Sequence, residues 1–360
     1  MRFKGGLAIF VAAIALTPAT ASAAVRYTSP GGSGLACSQA SPCSLLDALG
    51  VANSGDEIRL QAAEYDIAGS LPSITQLNLT ISGPPGRYTP SEDIAFLRFT
   101  STGDATRIQA LNRNLTLRRL GVTGSSGNQF LIKASDSSGL TLDRVLVLDS
   151  GSFGSVYAQD ATILNSVISQ SNFLCTPAPT PCRATEVTGT ISDSTIISAA
   201  ELGTAISNDT NYHNSTFGDR CDLTVQNTLA VGRVYNLRTN RGSGACTPTV
   251  VYNYSWIPTS GTGGGISDPG GYAIPGLSNL PSAPAALTDP LGGNFTPAFG
   301  SPAINAGLDA SSEDLYGRPR PIGIAHDIGA VEAILPPTVS TVSVGTVTSS
   351  SAPVSATVNP

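Results

Sequence analysis

At 360 residues the chain is long enough for one large domain or two ordinary ones, and only 12% of it is charged. Its 38 glycines and 25 prolines, with short Val/Ile/Leu runs and little helical periodicity, predict an all-β protein rich in turns. The formal net charge is −6; such an acidic, lysine-poor surface repels phosphates, which argues against nucleic-acid or anionic-membrane partners.

The first segment, residues 1–23, reads MRFKGGLAIFVAAIALTPATASA. Arg2 and Lys4 precede an apolar run, and Ala21-Ser22-Ala23 forms an A-x-A cleavage site, so this is a secretory signal peptide. The expected location is therefore extracellular or on the cell surface. Without Arg2 and Lys4, 17 basic side chains face 25 acidic ones, a net charge of −8, and Lys133 is the remaining lysine. No later apolar run approaches the roughly 18 residues that span a bilayer, so no transmembrane segment is expected.

Export makes disulfides the default state of the six cysteines, and nearest-neighbour pairing gives Cys37/Cys43, Cys175/Cys182 and Cys221/Cys246. Neither a C-x-x-C spacing nor a histidine pair suggests a metal, and no cofactor is expected. After Cys43, Ser44 with Asp47 three residues on has the form of a capped helix start. Leu45, Leu46 and Leu49 are predicted to share one face of a short helix that caps the open end of the following strands.

A repeat then emerges: LTLRRLGV from Leu115, LTLDRVLV from Leu140, ATILNSVI from Ala161, GTISDSTI from Gly189 and LTVQNTLA from Leu223. A spacing of about 21 residues suits one coil of a parallel β-solenoid with three short strands. Leu115, Leu117, Leu140, Leu142, Ile163, Ile191 and Val225 would point inward. Arg119, Arg144, Asn165, Asp193 and Asn227 would occupy one corner column, followed by Ser166, Ser194, Ser215 and Thr228, then inward Ile168, Ile196 and Phe217. The step from Asn214 to Asn227 is too short, so the register is expected to break there.

Further on, VVYNYSWIP places Tyr252, Tyr254 and Trp256 on one side of a strand. Facing outward they would form a glycan platform, because rings cover sugar faces; facing inward they would plug the last coil. SGTGGGISDPGG, residues 260–271, follows no strand–helix pattern and reads as a loop rather than a phosphate cradle. Residues 314–332, DLYGRPRPIGIAHDIGAVE, concentrate charge in Asp314, Arg318, Arg320, Asp327 and Glu332, with His326 among them. The regular glycines suit tight turns, so this reads as a structural tail pinned along the last coils by ion pairs, with His326 exposed.

SGDEIRLQAAEYDI, LNLTISGPPG and the repeated coils resemble the right-handed, single-stranded parallel β-helices of the pectate-lyase-like superfamily. LTDPLGGNFTPAFGSPAINAG and the 314–332 stretch are similar to the C-terminal part of secreted bacterial β-helix proteins of the choice-of-anchor Q type. The resemblance covers roughly residues 25–333 and implies architecture and export, not a reaction. The expected organisation is a signal peptide at 1–23 and a β-helix at 24–335 whose family-like tail begins near residue 258. Residues 336–360 open on Pro336-Pro337 and alternate Val with Ser/Thr. They read as the first strands of an Ig- or fibronectin III-like sandwich, too short to be complete, within a longer surface protein.

For chemistry, the corner column offers Arg118 beside Asp143 and Arg119 beside Arg144 one coil apart. Asp143 and Arg144 are the candidate catalytic pair of a lyase-like site; the plainer reading is a solvated corner with one ion pair worth under ~1 kcal/mol. His213 in NDTNYHNSTF lacks an assignable orienting acid and reads as a loop histidine. The expected protein is a monomeric, structural or carbohydrate-binding β-helix without catalysis, whose partner is an extracellular polysaccharide. The alternatives are a polysaccharide lyase or glycoside hydrolase, and a passive stalk displaying downstream adhesive modules.

Overall fold

The computed structural model describes residues 23–88, 93–111, 113–149, 151–170, 183–198, 203–209, 223–232, 235–240, 250–253, 266–267, 287–290, 292–308 and 311–359. The chain winds into coils, and most of them contribute a strand to each of three parallel sheets. Sheet A stacks Val25–Thr28, Glu57–Leu60 and Leu79–Ser82, then residues 115–118, 140–143, 161–164 and 189–192, then Leu223–Gln226 and Val250–Asn253. Sheet B runs from Glu64–Ile67 through Ala95–Phe99, residues 120–124 and 145–149, Val167–Gln170 and Thr195–Ser198 to Leu229–Gly232. Sheet C joins Ile108–Leu111 to residues 132–135, 154–158 and 183–187, then to Thr204–Asp209, Tyr235–Asn240 and Ile266–Ser267. Every ladder among these coils is parallel, and the whole forms one curled sheet of 18 strands.

Period-2 alternation builds the interior. Leu115, Leu117, Leu140, Leu142, Ile163, Ile191 and Val225 are all at most 1% exposed, and Ile168 and Ile196 are fully buried. Each such side chain contributes about 1.5–3 kcal/mol by leaving water. On the opposite side of sheet A, Thr80, Thr116, Thr141, Thr162, Thr190 and Thr224 stand in one register column, part-exposed.

Between sheets A and B the backbone turns through the left-handed region at Arg119, Arg144, Asn165, Asp193 and Asn227, with φ between 46° and 57°. Asn and Asp tolerate that conformation through local hydrogen bonds; arginine has no such compensation. The serine column explains itself next. Ser166 Oγ donates to Leu164 O at 2.7 Å and accepts Val145 N–H at 3.0 Å, and Ser194 Oγ donates to Ser192 O while accepting Ser166 N–H. Each hydroxyl thus satisfies its own corner and one in the preceding coil. Ser215, Phe217 and the expected register break lie outside the described residues.

The short helix α1 spans Leu45–Val51, and Ser44 Oγ accepts Asp47 N–H at 3.0 Å as its N-cap. Leu45, Ala48 and Leu49 join the core, whereas Leu46 is 54% exposed. The expected Leu46 face is therefore corrected: helical spacing brings residue 48, not 46, onto the side of 45 and 49. Nearby, Cys37 and Cys43 form a disulfide; Cys175, Cys182, Cys221 and Cys246 lie outside the described residues.

Sheet B carries exposed Glu64, Asp66 and Arg98 on the outer side of its first strands, but its later strands bury apolar side chains on that side too. Its outward Leu146, Val167 and Leu229 are buried under residues 287–335, against Phe295, Leu315, Ala330, Val331, Ala303 and Ile328. Beyond Pro337, Thr338–Val344 and Val354–Asn359 pair as an antiparallel hairpin. Val339 opposite Val358 and Val344 opposite Val354 are exposed on this hairpin. No helix of the described residues is long and apolar enough to cross a membrane.

Candidate functional site

The corner column is occupied by the tail. Asn227 Nδ2 donates to Leu308 O at 2.6 Å and Asn227 Oδ1 accepts Leu308 N–H at 2.7 Å. Ser311 Oγ donates to Asn165 Oδ1 at 2.8 Å, and Glu313 pairs with Arg144. Arg87 Nε then donates to Gly317 O at 3.2 Å. Successive tail residues therefore hold Asn227, Asn165 and Arg144 of the corner column and then Arg87, from a late coil back to an early one. The expectation of contact along the last coils is corrected: the tail reaches Arg87 and Tyr88 because its apolar residues follow the outer side of sheet B.

Within the tail, Asp314, Arg318, Arg320, Asp327 and Glu332 form one network. Arg318 Nε donates to Asp314 Oδ2 at 2.7 Å, while Arg320 Nη1 pairs with Glu332 Oε1 at 2.9 Å with both side chains buried. Glu332 also accepts the N–H groups of Ile322 and Asp327. Asp327 accepts those of Asn305 at 2.7 Å and Ala333 at 2.6 Å. Burial foremost, then the nearby Glu332, push its carboxyl above the usual range against those two N–H bonds and Arg320. Positive φ at Gly317 and Gly329 turns the chain between these partners. His326 is 3% exposed, correcting its expected exposure; its carbonyl accepts Gly307 N–H, which ties the segment inward.

Asp143 and Arg144 do come together. Asp143 Oδ2 meets Arg118 Nε at 2.7 Å, and its Oδ1 lies 3.4 Å from Arg144 Nε. Arg144 is 8% exposed and its guanidinium is held by Glu313. Burial, with Arg118 and Arg144 beside it, holds the Arg119 guanidinium below the usual arginine value. Its Nε is buried with no hydrogen-bond partner among the described residues. Arg119→Asn is expected to stabilise the fold by about 1 kcal/mol, because Asn tolerates this backbone and two repulsions vanish. A raised urea midpoint checks it; an unchanged or lowered one speaks against strain at this corner.

A different cluster stands on the outer side of sheet C. Ile132 and Ala134, and Val156 and Ala158, point into the core, so Lys133 and its register partner Tyr157 point out. Phe130 stands 5.6 Å from Phe153, edge to face, and 5.2 Å from Tyr157, tilted. Lys133 Nζ lies 5.4 Å over the Tyr157 ring. All four side chains are part-exposed. Sequence reading passed over them because their proximity arises only from coil register; the one signal available was Lys133, the lone lysine after Lys4.

Tyr252 lies in the last described strand of sheet A, its backbone paired with Val225. Tyr254, Trp256 and His213 lie outside the described residues. Among the described residues, no three His, Cys, Asp or Glu side chains gather as a possible metal site.

Fold and surface together define a three-sided parallel β-coil with a tail laid along one side and an aromatic cluster on another. No family model matches the chain, and no curated protein does. Among solved structures it is similar to pectate lyase Pel9A at 13% identity, covering 86% of this chain and 96% of that one, with a TM-score of 0.32. It is also similar to the PL6 family alginate lyase AlyGC, at 14% identity, 72% and 40% coverage and a TM-score of 0.38. A rhamnogalacturonan lyase is similar at 10% identity, 71% and 66% coverage and a TM-score of 0.38. These likenesses are loose, and the coiled architecture stands on the strand register.

Proposed function

We propose that this is an exported β-helix protein, right-handed and of the pectate-lyase-like kind, that binds an extracellular polysaccharide along sheet C without cleaving it. The observation that carries the reading is the Phe130, Phe153, Tyr157 and Lys133 cluster. Aromatic rings offer apolar surface to pyranose rings, and the ammonium donates to sugar hydroxyl or carboxylate oxygens. Arg144 is committed to Glu313 and Asp149 is 1% exposed, so neither side chain is presented to a glycan. The leader at 1–23 supports export, and residues 287–332 support kinship with the choice-of-anchor Q proteins. The same reading divides the chain into a β-helix at 24–335 and a sandwich-like module from 336, and takes it as a monomer.

Tyr157→Ala is expected to weaken retention on insoluble polysaccharides about tenfold, the loss of roughly 1.4 kcal/mol of ring contact. Its melting temperature should stay near that of the wild type. Wild-type protein should release neither reducing ends nor unsaturated products. Retention unaffected by Tyr157→Ala, or turnover by the wild type, sinks the reading.

A further inference from the structure

Where the tail meets the early coils, a cleft of about 560 Å³ opens beside the antiparallel hairpin formed by Leu287–Asp289 and Asn294–Pro297. Its floor is aromatic. Tyr88 and Tyr316 meet edge to face at 5.8 Å, and the Arg318 guanidinium lies 5.4 Å over the Tyr316 ring. Its rim is polar, with Arg87, Asp93 and Asn294 all exposed along it.

The volume lies within the range of small-molecule sites, about 300–1,000 Å³. Among the described residues Arg87 gives one N–H to the Gly317 carbonyl, and its remaining donors have no protein partner. Opposed donors and acceptors on one rim suit a ligand whose groups are both at once. A sugar hydroxyl is such a group: Arg87 donates to it, Asp93 accepts from it, and the Asn294 amide does either. A phosphate would be repelled by Asp93, and a wholly apolar ligand would leave the rim groups desolvated and unpaired. We propose that this cleft takes the end of a saccharide chain, one or two pyranose rings. The choice of a glycan over other polyols rests on the sheet C reading; the cleft itself is built from different residues.

The test is ligand-detected NMR and calorimetry with glucose, galactose, N-acetylglucosamine, glucuronic acid and β-1,4-linked disaccharides. At least one should bind the wild type saturably. Arg87→Ala and Asn294→Ala should each weaken that binding at least tenfold, while Tyr157→Ala leaves it unchanged. Asn294→Ala guards against a loss that merely reflects the missing Arg87–Gly317 bond. Conversely, the two rim variants should keep their retention on insoluble polysaccharide. No saturable binding by the wild type overturns the inference, as does binding that survives both rim substitutions. If Tyr157→Ala leaves polysaccharide retention intact while the rim variants lose saccharide binding, the sheet C reading fails and the cleft stands.

Discussion

Arg320→Ala is expected to lower the free energy of unfolding by about 3–5 kcal/mol, the usual result of stranding one partner of a buried ion pair. Its side chain is fully buried, as is that of Glu332, 2.9 Å away. The guanidinium also donates to Gly329 O at 2.7 Å and Asp327 O at 3.2 Å. Without it, among the described residues Glu332 keeps the N–H groups of Ile322 and Asp327 to offset a buried negative charge. Replacing both partners, as Arg320→Met with Glu332→Gln, should lose much less than the single change, because no uncompensated charge remains. Urea denaturation of the variants decides it. A single-variant loss under about 1 kcal/mol would mean that the tail is peripheral to the fold.

The second large effect is a pH dependence centred on Asp149. Its carboxyl is 1% exposed, accepts the N–H groups of Gly151 and Ser152 at 3.0 Å, and accepts the Ser155 hydroxyl at 2.8 Å. Burial nonetheless pushes its pKa up to about 6, against an ordinary value of 3.8. A folded-state pKa above the unfolded one means that folding takes up a proton between those values. The contribution is therefore most favourable below about pH 4 and is lost as pH rises through 6, by about 3 kcal/mol in all. In Asp149→Asn this component vanishes. The stability difference between wild type and variant, measured from pH 4 to 7, should move against the wild type as pH rises. A flat difference would show that Asp149 titrates normally.

Much of the coil was readable because each turn repeats one chemical logic. Leu115, Leu140, Ile163, Ile191 and Val225 can pack only against their counterparts one coil away, so like residues recur in columns. The corner was readable for the same reason, although its left-handed backbone at Arg119 and Arg144 was not: arginine carries no signature of that conformation. Charge and glycine marked residues 314–332, yet the path of the tail stayed hidden. The outer apolar side of sheet B steers it, and those positions look like any buried strand. Leu46 was assigned to the wrong helical face and His326 was expected to be exposed, where the 45/48/49 spacing and the Gly307–His326 bond decide. Phe130, Phe153 and Tyr157 fall in separate stretches with no shared pattern, so only register unites them.

The tail has a consequence for how the molecule comes apart and together. A solenoid couples each repeat only to its neighbours and so frays from its ends. Bonds from Leu308 to Asn227 and from Gly317 to Arg87 bridge coils far apart in the stack. They work as a clasp that converts piecemeal fraying into a cooperative transition. The clasp lies far towards the C-terminus, so it is synthesised after the coils it closes. Until it arrives, Leu146, Val167 and Leu229 present a sticky flank to water, and the nascent protein passes through an aggregation-prone stage.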